Sequence, residues 1–432
     1  MKTQSLLSGA IVPTLLRLSA PGVLLVAFQT MVSVGDTYFV GRLGTEPLAG
    51  LALVFPLIML LQMTSAGAMG GGVSSAIARA LGSNNAVLAR RLVVHALAIA
   101  AAMGAVFTFF ILVFGDPVYR LLGGREDTLL QALAYSNIVF GGAIAVWIAN
   151  TLSSVLRGSG NMLTPAATLI AAAAIHLPLS GMLVARIGIA GAGIAYVTTF
   201  SIAALLMAAI VWRSPLLCPR RGDWRLEWRL FREILRVGAI SMVSALQTVL
   251  TAVIITGFVG RYGAAALAGY GVGLRLELLQ IPLVFAVGQA LVVLVGTSIG
   301  AGRMERARSV AWVGAALAAC ISLAIGATAA LFPLAWVGLF SSDGAVLESG
   351  SRYLRTVAPF YPLLAAGIAL YFASQGAGRV LRPVLAGTVR LAMVIAGGLF
   401  AVSLQGVFIV IAAAMIAFGA LTIWFVATAH WK

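Results

Sequence analysis

Apolar runs of about twenty or more residues succeed one another from near residue 12 to near residue 428, each bounded by a short charged or turn-rich segment. A hydrocarbon layer ~30 Å thick requires about 20 apolar residues of any helix that crosses it, so the pattern predicts membrane spans. Twelve helices are expected, near residues 12–40, 48–76, 88–115, 129–155, 164–184, 190–212, 233–259, 266–298, 308–338, 352–375, 383–402 and 405–428. Composition agrees: 61% of the 432 residues are hydrophobic and 9% charged, too few polar groups to cover a water-soluble surface. The expected fold class is an all-α integral membrane protein with twelve transmembrane helices. The first run, from about Ile11 to Val34, is too long for the core of a removable signal peptide. Kinks are expected at Pro13, Pro21, Pro56, Pro178, Pro282 and Pro362.

The net charge of +16 comes from 28 Lys and Arg against 12 Asp and Glu. Once the basic residues are assigned to loops, 18 fall on one side of the membrane, among them Lys2, Arg79, Arg157, Arg221, Arg303, Arg379 and Lys432. Seven fall on the other: Arg42, Arg120, Arg125, Arg186, Arg261, Arg352 and Arg355. The positive-inside rule makes the richer side cytoplasmic and puts both termini there, so the charge reports topology and not nucleic-acid binding. In the most polar stretch, Trp224, Trp228, Phe231 and Leu235 run beside Arg225, Arg229, Arg232 and Arg236 at helical spacing. An amphipathic helix in the lipid headgroup layer is expected there.

The two halves repeat. Phe39–Gly50 reads FVGRLGTEPLAG and Phe258–Gly269 reads FVGRYGAAALAG, eight identities in twelve positions at an offset of 219. Gly158, Gly160, Leu163 and Pro165 face Gly376, Gly378, Leu381 and Pro383 at 218. An even number of helices separates the copies, so they are parallel bundles with pseudo-two-fold symmetry along the membrane normal. The expected organisation is an N-terminal six-helix lobe at 1–212, a cytoplasmic amphipathic linker at 213–232 and a C-terminal lobe at 233–432.

Three pieces of sequence carry a family resemblance: Gly35-Asp36-Thr37-Tyr38-Phe39-Val40-Gly41-Arg42-Leu43-Gly44, Leu156-Arg157-Gly158-Ser159-Gly160-Asn161, and Gly191-Ala192-Gly193-Ile194-Ala195. With them the chain resembles the multidrug and toxic compound extrusion (MATE) transporters, and its DinF-like branch in particular. The resemblance implies export of bulky, often cationic, organic compounds by alternating access, driven by entry of protons or sodium, from the plasma membrane of the cell, in bacteria the inner one. It implies Asp36 as the ion-coupling acid of the N-terminal lobe, with His176 and Ser180 where relatives place an Asn and an Asp, and Asn150 and Tyr196 at its other polar positions. The acids that relatives carry in helices 7 and 10 are absent; helix 7 has Gln247. No cofactor beyond the proton motive force is implied. The expected partners are small organic cations or drugs and membrane lipid, and the expected state is a monomer.

An ionisable group inside a span costs ~2.5–3.5 kcal/mol even on lenient insertion scales, so each needs a cavity, a partner or a function. Arg17 and Arg390 are expected to snorkel from helix ends. Arg275 and Glu277 project to different sides of their helix. Two readings of Glu277 stay open: an acid lining the substrate cavity or taking a second proton, and an interhelical ion pair. Asp36 reads either as the coupling acid or as a helix-end cap, and His176 either as a proton-handling group or as a spacer between helices. His95 reads as structural. Met31, Met63 and Trp147, with Gln247 and Glu277, are candidates for an adaptable drug cavity, because Met and aromatic faces accept varied shapes and attract cations.

Cys218 and Cys320 lie far apart, without metal-binding spacing. The histidines and acids are scattered, which disfavours an enzyme. A lipid flippase of similar two-lobe architecture is the alternative, although it calls for a more strongly cationic cavity than three scattered span arginines provide.

Overall fold

The computed structural model describes residues 3–429, so Lys2, Lys432 and the placement of both termini lie outside the described residues. Among the described residues there are helices and no strands. Twelve membrane-length helices follow one another: α1 (Ile11–Gly41), α2 (Thr45–Gly82), α3 (Ala86–Leu121), α4 (Glu126–Gly141 and Ala143–Gly158), α5 (Leu163–Ile187), α6 (Ile189–Arg213), α7 (Trp228–Gly260), α8 (Ala264–Gly300), α9 (Met304–Leu331), α10 (Gly344–Gly376), α11 (Leu381–Phe400) and α12 (Leu404–Ala427).

Their ends are fixed by local chemistry. Asn85 caps α3 by accepting from Leu88 N–H, Asp343 caps α10 by accepting from Ala345 and Val346 N–H, and Ser403 caps α12 by accepting from Gly406 N–H. The ninth helix stops at Leu331, earlier than the apolar run suggested, and Pro333 starts a separate short helix, Pro333–Val337. Pro21, Pro56, Pro178 and Pro282 lie inside continuous helices, and Pro362 opens the second half of α10. The 49° bend falls in α4, between Gly141 and Ala143, without a proline. In α2 a π-helical turn, Met63–Met69, interrupts the α-helical winding.

The chain packs into two compact units, residues 20–239 and residues 4–19 with 240–429. Residues 4–19 belong to the second unit because the guanidiniums of Arg303 and Arg306 donate to the carbonyls of Leu6, Leu7 and Gly9, at 2.7–3.2 Å. Each unit carries left-handed residues at matching places: Gly44 and Gly263, Asn84 and Gly302, Gly160 and Gly378. Glycine or asparagine is what such turns require, and the duplication keeps them in register.

Residues 213–239 pack with the first unit, and the expected separate amphipathic helix is not formed. Arg221–Trp224 is one 3-10 turn, and α7 begins only at Trp228. The reason is docking against α3. Arg90 donates to Asp223 at 3.0 Å, Arg91 pairs with the Glu227 carboxylate, and Glu227 N–H donates to His95 Nε2 at 2.9 Å. Since Nε2 accepts, the ring proton sits on Nδ1 and donates to Arg91 O at 2.7 Å, so His95 is a fully buried structural strut. Trp224 and Trp228 remain exposed, Phe231 stacks edge-on against His95, and the buried face is Leu230, Ile234 and Val237. Burial would push the Asp223 carboxyl up, but the Arg220 N–H and the Arg90 guanidinium outweigh it and hold it below its ordinary range. The hydrogen bond from Arg91 does the same for Glu227.

Candidate functional site

Three helices of the first unit bring their polar groups to one point. Asp36 comes from α1, His176 and Ser180 from successive turns of α5, and Thr199 from α6. The i, i+4 spacing puts His176 and Ser180 on one helix face. Gly35 permits the approach, since a Cβ there would lie 2.4 Å from the Leu177 side chain. His176 Nε2 lies 2.9 Å from one Asp36 carboxylate oxygen and 3.0 Å from the other, and Ser180 donates to the carboxylate at 2.6 Å. Asp36 is 7% exposed and His176 1%. The site is therefore a buried, hydrogen-bonded pair and not a helix-end cap.

Hydrogen-bond accounting defines the states available to the pair. The Thr199 hydroxyl donates to Ala195 O at 2.7 Å, so its oxygen accepts from His176 Nδ1 at 3.1 Å. With Nδ1 as donor, one further proton lies between Nε2 and Asp36, and the pair is neutral whether that proton sits on the imidazole or the carboxyl. Removing it leaves one negative charge. The remaining proton then satisfies Asp36 only from Nε2, with Nδ1 an acceptor toward which the Thr199 hydroxyl rotates. Thr199 was not singled out in the sequence, where it is one threonine among many; only the packing of α5 on α6 identifies it.

Asn150 and Tyr196 meet one another through a residue that sequence reading also missed. Gln62 donates to the Tyr196 hydroxyl at 2.6 Å and accepts from Asn150 at 3.0 Å, and Asn150 also donates to Ser65 at 2.8 Å. Ser65 lies in the π-helical turn, whose wider winding presents it to α4. Tyr196 and Tyr135 both lie within electrostatic reach of Asp36, so this chain of polar groups extends the site. At its far end the Arg157 guanidinium is held by Ser153 and Ser154, both neutral.

The remaining candidates stand apart. Trp147 is fully buried against Phe107 and packs the interior of the first unit, which removes it from any open cavity wall. Met31 is exposed on α1, and Met63 is half-buried where the π turn begins. Gln247 and Glu277 belong to the second unit. Gln247 donates to Thr388 at 2.8 Å, and Glu277 accepts from Tyr353 at 3.2 Å within electrostatic reach of Arg390. Arg390 does not snorkel: it sits midway along α11, facing the Phe418 ring and Glu277.

At the repeat offset, the second-unit positions matching Asp36, His176 and Ser180 are Ile255, Val394 and Gly398. Ile255 and Val394 sit in one hydrophobic cluster with Phe258, Tyr353 and Phe408. The two units have the same architecture, and at these three matching positions only the first carries titratable side chains. Among the described residues no cluster of three or more His, Cys, Asp or Glu side chains is arranged to hold a metal.

Comparison with known proteins gives consistent results. A FAD transporter of Shewanella oneidensis is 27% identical over 379 residues, covering 85% of this chain and 82% of its own. A probable multidrug resistance protein, NorM, of Thermotoga maritima is 23% identical over 379 residues, covering 86% and 81%. Among solved structures, a MOP superfamily transporter from Pyrococcus furiosus superposes with a TM-score of 0.90 at 23% identity, over 99% of this chain and 97% of that one. A MATE protein in a bent conformation gives 0.92 at 24%, with the same coverage. The MatE family model matches twice, at residues 21–182 and 239–400, once for each half of the duplication. The chain is thus an integral membrane protein of the MatE family, which consists of transporters and not enzymes.

Proposed function

We propose that the chain is a secondary active exporter of bulky organic, often cationic, compounds, driven by protons that load and unload at Asp36 and His176 in the first unit. The observation that carries this reading is the buried pair itself. In a site this dry the deprotonated pair is one uncompensated negative charge and the protonated pair is neutral, so titration changes which packing of α1 against α5 is favoured. Each proton entering across ~100 mV supplies about 2.3 kcal/mol, and each unit of inward pH gradient about 1.4 kcal/mol. Protons are preferred over sodium because His176 Nε2 already faces both Asp36 oxygens, which a sodium ion would need as ligands. The basic-residue bias supports an orientation with both termini cytoplasmic, in the bacterial inner membrane. Relatives named for multidrug resistance support the substrate class.

A second reading takes an anionic flavin-like cargo, favoured by the relative named as a FAD transporter and by the Arg157 guanidinium that only neutral groups hold. Proteoliposomes with an imposed pH gradient separate the readings. Wild-type protein should drive an aromatic cation such as ethidium against its gradient, and Asp36→Asn should bind it without pH-driven movement. FAD movement in place of ethidium would establish the second reading. Scrambling of labelled lipid with neither solute moving would mean a flippase, and undiminished pH-driven export by Asp36→Asn would end the coupling assignment.

A further inference from the structure

The stretch that joins α6 to α7, with the first turns of α7, mixes acids and arginines in sequence, and the fold separates them by sign. All three acids are spent on ion pairs within the first unit. Asp223 pairs with Arg90 and Glu227 with Arg91, both on α3, and Glu233 pairs with Arg79 on α2 at 3.5 Å. Arg221, Arg225, Arg229 and Arg232 are exposed, and none of them makes an ion pair among the described residues. The unpaired charge that the stretch presents is therefore all positive. Three large apolar side chains stand among those arginines within five residues: Trp224, Leu226 and Trp228 are 54%, 59% and 73% exposed.

Position decides what covers such a surface. Residues 214–227 leave one membrane-length helix and enter another, and they dock on α3 at Arg90, Arg91 and His95. These are the fifth, sixth and tenth residues of α3. At 36 residues, about 54 Å, α3 outruns a hydrocarbon core ~30 Å thick, so its first turns stand in the headgroup layer and hold the connector there. An indole is at home in that layer, where its ring is covered and its N–H stays wet. A guanidinium finds phosphate oxygens there. A bilayer face that carries net negative charge supplies both at once.

We propose that residues 221–232 form a docking surface for anionic phospholipid of the bilayer that holds α6 and α7. Trp224 and Trp228 seat their rings at the headgroup boundary, and Arg221, Arg225, Arg229 and Arg232 contact lipid phosphates. Each arginine contributes about a fivefold preference for an anionic over a zwitterionic surface. The ion pairs of Asp223, Glu227 and Glu233 are what make this possible, because they keep three negative charges from cancelling the arginines. The surface is independent of the proton site and of the cargo.

The test uses the full chain in nanodiscs of equimolar phosphatidylglycerol and phosphatidylcholine, prepared twice, with bromine on the acyl chains of one lipid or of the other. Bromine quenches nearby tryptophan, and the fluorescence of Trp224 and Trp228 is the difference between wild type and Trp224→Phe/Trp228→Phe. Brominated phosphatidylglycerol should quench that difference more than brominated phosphatidylcholine. The excess should shrink as salt is raised, and it should vanish in Arg225→Gln/Arg229→Gln/Arg232→Gln. Arg125→Gln, on the side poor in positive charge, should keep it. The substituted arginines are exposed and unpaired, so the triple variant should fold. Equal quenching by the two lipids in the wild type, or an excess that survives the triple variant, would overturn the proposal. Quenching by neither lipid would also overturn it, and would point to a soluble acidic partner at this surface.

Discussion

His176 stands astride Asp36, its Nε2 at nearly equal distance from the two carboxylate oxygens, and the other ring nitrogen is held by Thr199. The arrangement makes the proton count of the pair depend on a hydroxyl that belongs to a third helix. Thr199→Val removes the acceptor for Nδ1–H and leaves a buried donor unpaired in the protonated state. Because the same hydroxyl turns to donate to Nδ1 in the deprotonated state, each proton state of the pair loses a partner at about 1–3 kcal/mol, and proton-driven export should fall across the pH range. His176→Gln leaves Asp36 as the one titratable member of the pair, so the pH profile should be displaced and not abolished. Export rates in proteoliposomes over a pH series check both, and undiminished export by Thr199→Val would separate Thr199 from the proton site.

Asp223 ties the connector before α7 to Arg90 on α3. Its carboxyl is held below the ordinary range, so the tie contributes fully above a pH of about 4 and is lost as pH falls through the lowered value. Asp223→Ala should cost about 2 kcal/mol near neutrality, somewhat less than the loss of one partner of a fully enclosed pair. Melting curves of wild type and variant in detergent should converge as the solution is acidified; a constant gap would deny the electrostatic origin.

Glu277, buried on α8, and Arg390, half-buried on α11, lie within electrostatic reach of each other in the second unit. Glu277→Gln or Arg390→Met alone should destabilise the protein by about 2–3 kcal/mol, because each leaves the other charge without its counter-charge. The double variant should lose less than the two losses added, with a coupling of at least about 1 kcal/mol. Additive losses would show that the two charges act independently.

Gly72 of α2 lies against the backbone of α7, where a Cβ would come within 2.8 Å of Ile234 O and 2.9 Å of Gly238 N. Backbone cannot rotate aside as a side chain does, so Gly72→Ala should cost about 1–3 kcal/mol. Gly257→Ala, which meets open space, should be nearly neutral. A melting temperature unchanged by Gly72→Ala would contradict this packing.

Legibility from the sequence differed sharply between the spans and the site. Asp36, His176 and Ser180 are marked by the family resemblance, and they meet in the structure. Thr199 and Gln62 carry no such mark, because a threonine or glutamine in an apolar run has no periodic or spacing signal until a partner helix lies beside it. The stripe from Trp224 to Leu235 has the period of one helix, and periodicity cannot register that the Glu227 backbone N–H is committed to His95. Trp147 packs a core, and an aromatic has the same letter whether it faces a cavity or a core.

By itself the sequence determined the spans, the duplication and the side on which positive charge accumulates. Those depend on summed transfer free energies of about twenty residues at a time, or on self-similarity, neither of which needs a neighbour. Tertiary structure alone decided which polar groups are satisfied, and by what. Hydrogen bonds and ion pairs act over about 3–4 Å, between residues more than a hundred positions apart, and Asp36 acquired His176 only when α1 packed on α5.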